Sequence, residues 1–464
     1  MKKMTLILSV AAAFVALGTS CQKEQNAPGA RALNAGFISV CSDSTATDTL
    51  RGVISGTKNL TNDVVYYLDG IVYVTGTLNI EEGTLVRGLA GTPRIDDNNP
   101  GTAGGTLVIT KSGYIDAEGT ASCPIVFTSW RNLASPQSGD WGGIVILGEA
   151  RHNRANTTVV EGITGTPPAD ATYGGTNDSD NSGILKYVRI EYAGWELSTD
   201  NELNGLTLAG VGSGTTLSYV EVYKSKDDGI EFFGGTVNGD HLIVVDSQDD
   251  MFDFDNGYTG TIDYALGLSD FSRADKSQSN GIEMDGNATG DTTVTPRTFP
   301  KLNHFTIIGQ PTATAASTVY TSPTATYGRA AHLRRNTLFS IRNSVFLGFN
   351  NGVSLDGGGV PPGYTKIWYD TRGISILDNS LSHGYVRAYS TELSNVFSNY
   401  TFPLTLNSGY TSGTANAGIS LTNPFSRSAF TNFAAATGGD AAFYGAGAVP
   451  SGATWGVNVW ARVL

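Results

Sequence analysis

Asp227 and Asp249 stand 22 residues apart (249 − 227), and the same step separates Glu231 from Asp253 and Phe232 from Phe254. A chain that repeats a short motif at fixed spacing stacks copies of one supersecondary unit, because each unit alone cannot bury its apolar face. The motif recurs as "NGLTLAG" at Asn204, "DGIEFFGG" at Asp228, "DMFDFDNG" at Asp250, "NGIEMDGN" at Asn280 and "NGVSLDGG" at Asn351. A second run precedes several of these: "LKYVRIEYAG", repeated as "LSYVEVYKSK" and more loosely as "HLIVVDSQ" and "IRNSVFLGF". Two or three short strands per repeat, closed by Gly, Asn or Asp, predict an all-β chain wound as a right-handed parallel β-helix. The alternative is a β-propeller, whose blades repeat at about 40 residues.

Strand alternation then sorts the motif into faces. Leu206/Leu208, Ile230/Phe232, Phe252/Phe254, Ile282/Met284 and Val353/Leu355 are expected to point inward and stack. Thr207, Glu231, Asp253, Glu283 and Ser354 form one outward column, and Ala209, Phe233, Asp255, Asp285 and Asp356 the next. "GRAAHLRRN" fits the gap between repeats, placing His332 after Glu283 and Arg334 after Asp285. The Asx residues at the motif starts are expected at one bend, each bonding the neighbouring coil's backbone. With coils about 4.8 Å apart, Glu231, Asp253 and Glu283 would repel one another unless something offsets their charge.

Composition narrows the partners. Only 15% of the 464 residues are charged, 58 are glycine, and the net charge of −13 argues against nucleic acid, which needs a basic surface. The N-terminal "MKKMTLILSVAAAFVALGTSC" reads as a signal peptide over residues 1–20, with Lys2 and Lys3 before an apolar run from Leu6 to Leu17 that is short for a membrane span. Because it ends on Cys21, it resembles a bacterial lipoprotein signal, in which that cysteine carries the lipid. The following "CQKEQ" resembles the export tags of surface lipoproteins in the Bacteroidota. Residues 21–48 are then a lipidated tether, 49–359 the β-helix, and 360–464 a β-rich extension or cap that packs on it. Cys41 and Cys123, the remaining cysteines of an exported chain, pair as a disulfide or stay as two buried thiols.

Three readings compete for the acidic face. Asp253, Asp255, Glu283 and Asp285 supply the oxygen ligands that Ca²⁺ takes. Alternatively, His332 or Arg334 serves as the base of a Ca²⁺-dependent polysaccharide lyase, flanked by Lys224 or Lys226, or paired carboxylates serve a glycoside hydrolase. In the third reading the column is a solvated face, balanced by His332, Arg334 and Arg335. The chain lacks zinc-ligand spacing, a Gly-x-Ser-x-Gly elbow and a P-loop. Among the aromatics, Trp195 in "AGWELSTDNE" is the candidate sugar-stacking residue.

Taken as a set, "GTLNIEEGTLVRG", "YIDAEGTASCPIVFTS", "GDWGGIVILGEA", "LKYVRIEYAG", "NELNGLTLAGVG" and "DDGIEFFGGTVN" resemble pectate-lyase-like β-helix lipoproteins and secreted proteins of the Bacteroidota and marine bacteria. The likeness covers roughly residues 70–260 and weakens toward the end. It implies fold and location, not a reaction. The expectation is therefore an outward-facing outer-membrane lipoprotein that binds a polysaccharide or a surface protein without catalysis. The rivals are the Ca²⁺-dependent lyase or hydrolase and a purely structural adhesin.

Overall fold

Short strands broken by turn residues can satisfy their backbone groups only against another coil, and in this chain they do so in parallel register. The computed structural model describes residues 41, 46–92, 102–131, 135–154, 158–163, 166–198, 201–320, 325–394, 396–400, 407–411, 413–438, 440–444, 446–449, 455 and 460–462. The signal segment and Cys21 lie outside the described residues. Among the described residues, strands from Ala46–Leu50 through to Ser408–Tyr410 form one 27-stranded sheet, parallel except where Leu381–Leu393 meets Val396–Asn399, wound as a right-handed parallel β-helix. No helix among the described residues is long and apolar enough to cross a membrane.

The sheet runs as three ladders. The first holds Ile71–Val74, Thr106–Ile109, Gly143–Leu147, Leu206–Ala209, Ile230–Phe233, Phe252–Asp255, Ile282–Asp285 and Arg329–Arg334. It continues into the C-terminal halves of Val345–Asp356 and Leu381–Leu393. The other two begin as separate short strands, run fused as long strands bent once each from Gly183–Glu191 to Lys301–Ile308, and part again at Ser340–Arg342. The bend is a left-handed residue: Tyr187 (φ 50°), Tyr219 (53°), His241 (52°), Tyr264 (57°) and His304 (52°). Such a conformation strains a residue with a Cβ. Here the rings stack on one another at centroid distances of 4.5, 4.4, 5.2 and 4.6 Å, each contact worth about 0.5–1.5 kcal/mol.

The inward positions form one continuous core. Leu206, Ile230, Phe232, Phe252, Phe254, Ile282, Met284 and Val353 are fully buried. Phe232 stacks on Phe254 at 4.9 Å, and Phe252 meets Phe305 edge to face at 5.5 Å. Burying each such ring stabilises the fold by about 1.5–3 kcal/mol.

The expected segment boundaries differ from the observed ones at both ends. Ala46–Leu50, placed at the end of the tether, is already a ladder strand paired with Val64–Leu68. The solenoid also runs past Gly359: Ile376–Asp378 pairs in parallel with Ser340–Arg342, and Leu381–Leu393 with Val345–Asp356. Residues 357–375 are an excursion between coils, carrying a short helix and a π-turn whose Trp368 is buried. The last described segments lie along the side of the helix. There Ile419, Phe430, Phe433 and Trp460 cover Ile243, Leu266, Ile308 and Leu347, outward residues that would otherwise face water. Cys41 and Cys123 are joined by a disulfide that ties the segment before the first strand to the turn at residues 119–124.

Candidate functional site

On the first ladder, backbone pairing aligns Thr207, Glu231, Asp253, Glu283, His332 and Ser354 rung by rung. This is the outward column expected from the repeat, with His332 and Ser354 on consecutive rungs. The Asx residues at the bend hold the coils together. Asp228 Oδ1 accepts the backbone N–H of Asp250 at 2.9 Å, Asp250 Oδ1 that of Asn280 at 2.5 Å, and Asn280 Oδ1 that of Arg329 at 2.9 Å.

The column is not the solvated face of the third sequence reading. Glu231, Glu283, His332 and Ser354 are buried, and Asp253 is half-buried. One reason is the excursion between Leu147 and Gly183, which folds back over the outward side of the ladder. Its Val160, Ala171 and Tyr173 pack on Val108, Val145, Leu147 and Phe233 and wall off one end of the column. The acidic residues therefore line a groove. Trp195 sits half-buried beside it, at the root of a small hairpin whose Glu196 pairs with Lys226, the residue before Asp227.

The groove divides into two electrostatic halves. In the C-terminal half Arg334 pairs with both Glu283 and Asp285, Arg335 reaches Asp285 at 2.6 Å, and His332 Nδ1 lies 3.2 Å from Glu283. Burial works to raise Glu283, but Arg334 and His332 hold its carboxyl down at about 2. In the N-terminal half no Lys, Arg or His forms an ion pair with Asp227, Asp228, Glu231, Asp249, Asp250 or Asp253 among the described residues. Burial and mutual repulsion push Asp227, Asp228, Glu231, Asp250 and Asp253 well above the carboxylate range. Burial with Asp275 nearby lifts Asp249 to about 7, and burial with Asp285 nearby lifts Asp255 to about 7.

These halves rearrange the residues singled out from sequence. Glu283 and Asp285, expected as Ca²⁺ ligands, are already neutralised by arginine, because "HLRRN" falls on the next rung. Asp255 donates nothing to a shared cluster either; its Oδ1 accepts the N–H of Asn256 at 2.5 Å. Asp255 forms no ion pair among the described residues, but of that set Asp253 alone joins a cluster of carboxylates. One oxygen from each of Asp228, Glu231 and Asp253 lies within 4.8 Å of the other two, and the same holds for Asp227, Asp228 and Asp249. Sequence reasoning passed over Asp227, Asp228, Asp249 and Glu231 as ligands, although their 22-residue spacing was the signal that places them on adjacent coils. His332 and Arg334, the candidate bases, are both committed. His332 lies between Glu283 and Asp356 at 3.2 Å each; burial would lower it, but those hydrogen bonds raise it above the ordinary imidazole value. Arg334 stays fully charged: burial opposes the charge, and Glu283 and Asp285 outweigh it.

A hard dication suits the uncompensated half. Ca²⁺ takes six to eight oxygens at 2.3–2.6 Å, so ligands on opposite sides of the ion lie about 4.8 Å apart. The donors are all oxygen, and each carboxylate keeps an oxygen unused by the fold. Asp228 commits only Oδ1 to the backbone, Glu231 Oε2 takes the amide of Asn204, and Asp253 Oδ1 is buried without a hydrogen-bond partner. Asn204, 2% exposed, likewise leaves its Oδ1 unpartnered at the edge of the same cluster.

The model of a family described as a pectate-lyase-like β-helix domain matches residues 52–448. The chain belongs to that family. The match spans the excursion at 357–375 and includes the coils on both sides of it, so the pectate-lyase-like domain and the wound sheet are one unit. Comparison with curated proteins and with solved structures returned no match.

Proposed function

We propose that this pectate-lyase-like β-helix is a lipid-anchored, outward-facing outer-membrane protein. In this reading it binds a glycan, or another oxygen-rich component of the cell surface, through its carboxylate groove and does not cleave it. The observation that carries the reading is the uncompensated half of the groove. Buried carboxylates of one sign, aligned across adjacent coils, raise the free energy of the native state unless a cation joins them. Asp228, Glu231 and Asp253 would hold Ca²⁺, with Asp227 and Asp249 beside them. An ion there supplies a positive centre with positions open to hydroxyl or carboxylate oxygens of a sugar chain. Trp195, at the groove's flank, offers an apolar ring to a sugar face.

The case against cleavage is the state of the bases. A lyase base must be free to take a proton from the carbon beside a uronate carboxylate. Arg334 is held protonated by two carboxylates, and both ring nitrogens of His332 are engaged. The anchor reading rests on the Lys2–Lys3 start, the apolar run and Cys21. The test is a panel of uronate and neutral polysaccharides presented to the protein with Ca²⁺ or with chelator, while unsaturated product and reducing ends are followed. Retention of at least one glycan in Ca²⁺, without product, is expected. Product that disappears on replacing His332 or Arg334 would overturn the non-catalytic reading. A panel with neither retention nor product would assign the groove to a protein partner or a structural role.

A further inference from the structure

Two rungs beyond the uncompensated carboxylates, the same face carries a cluster of different chemistry. His332, Asp356 and Glu392 come from three successive coils, and one ligand atom of each lies within 4.8 Å of the other two. His332 Nε2 is 3.2 Å from Asp356 Oδ2 and 3.8 Å from Glu392 Oε2. We propose that His332, Asp356 and Glu392 form a binding site for a first-row transition-metal dication, separate from the all-oxygen half of the groove.

The donor set is the first argument. One imidazole and two carboxylates suit Zn²⁺ and its first-row neighbours, whereas the all-oxygen cluster suits Ca²⁺. Spacing is the second. Ligands at 2.0–2.2 Å from a tetrahedral ion lie about 3.4 Å from each other, and the observed separations of 3.2 and 3.8 Å bracket that value. The surrounding shell is the third. His332 Nδ1 faces Glu283 at 3.2 Å, the arrangement in which a carboxylate fixes a metal-bound imidazole and aims its other nitrogen. Arg329 holds Glu392 through both of its oxygens, Nε donating to Oε2 at 2.9 Å, and Ser354 Oγ donates to Oε2 at 3.2 Å, which fixes the orientation of the carboxylate. Ser390, in register with Ser354 and fully buried, has an Oγ without a hydrogen-bond partner on this face. His332 and Glu392 are buried, while the Asp356 side chain is 18% exposed, which leaves an approach from solvent. An ion entering there takes the place of the proton on Nε2, which is released to water.

The test uses the full chain, stripped of metal and titrated with Zn²⁺, with Co²⁺ as the coloured probe. Wild type is expected to retain a single equivalent of Zn²⁺ and to give a visible Co²⁺ absorption band. His332→Gln and Asp356→Asn should each weaken Zn²⁺ binding at least a hundredfold, and Glu283→Gln by about ten- to a hundredfold. Circular dichroism and melts establish that the variants are folded, and Asp356, the most exposed of the three ligands, gives the variant that disturbs packing least. Asp253→Asn should leave Zn²⁺ binding intact. No Zn²⁺ uptake by wild type, or equal uptake by folded His332→Gln and Asp356→Asn, overturns the proposal. So does uptake lost in Asp253→Asn but kept in His332→Gln.

Discussion

Arg334 carries much of the groove's charge balance, since its guanidinium joins Glu283 and Asp285, whose side chains are 10% and 4% exposed. Removing it leaves two buried carboxylates facing Asp253 with only His332 and Arg335 to offset them. Arg334→Met is therefore expected to destabilise the protein by about 3–5 kcal/mol, the usual penalty for breaking a buried pair from one side, as read by denaturant midpoint at pH 7. Asp253→Asn should act oppositely. It removes a charge from the uncompensated half and keeps the side chain's shape, so the metal-free variant should melt above wild type. It should also lose any rise in Tm on adding Ca²⁺. A metal-free melt lowered by Asp253→Asn would mean that the carboxylate is paired in a way the geometry does not suggest. The register of His332 and Arg334 beside Glu283 and Asp285 was legible from "GRAAHLRRN", because strand alternation leaves no other phase. Their burial was not legible, since Val160, Ala171 and Tyr173 reach the ladder from an excursion with no repeat of its own.

Each coil is held to the next by its bend as much as by its strands, and Asp228 shows how. Its Oδ1 accepts the N–H of Asp250 while its charge repels Asp227 and Asp250. The two effects separate by substitution. Asp228→Asn keeps the acceptor and removes the repulsion, so stability in chelator should be unchanged or higher. Asp228→Ala strands a buried N–H and should cost about 1–3 kcal/mol; equal melts for the two variants would show that the Asx bond is not what couples the coils. The Asx positions were readable as a column because they begin each motif. The aromatic corner went unread, although Tyr187 and Tyr219 occupy the same place in "LKYVRIEYAG" and "LSYVEVYKSK". A left-handed tyrosine inside an apolar run gives no local sign of the bend, and only the stacked rings of the neighbouring coils make it affordable. The coils beyond Gly359 were missed for a similar reason. The excursion at 357–375 breaks the period, and Leu381–Leu393 resumes it without the Asx-Gly start.

Two features act on the molecule as a whole, the disulfide and the pH dependence of the groove. The Cys41–Cys123 bond closes a chain separation of 82 residues around the first coils. By the loop-entropy argument it should contribute roughly 4 kcal/mol, so a Cys41→Ser, Cys123→Ser double variant should unfold at correspondingly lower denaturant. Identical midpoints would mean that the unfolded chain is not measurably constrained by the bond. For pH, the sign follows from which state holds the proton. Asp249 and Asp255 are raised from an ordinary 3.8 to about 7, so between those values the native chain binds protons that the unfolded chain has released. Their contribution is fully present below 3.8 and is lost as pH rises toward about 7. Glu283 runs the other way: held at about 2 against 4.5, its contribution is present above 4.5 and fades only as pH falls toward about 2. In chelator, stability should thus be greatest near about pH 4–5 and decline toward pH 7. Ca²⁺ competes with the protons that Asp228, Glu231 and Asp253 hold well above the carboxylate range, so its stabilisation should be small at pH 5 and grow as pH rises past neutrality. There it amounts to about 2.7 kcal/mol at a hundredfold excess over Kd. Melts across this range, with Ca²⁺ and with chelator, check both arms. Curves that superimpose at pH 7.5 exclude the cation from the groove. A chelator curve that rises from pH 4 to 7 means that its carboxylates are ionised and paired in the native state.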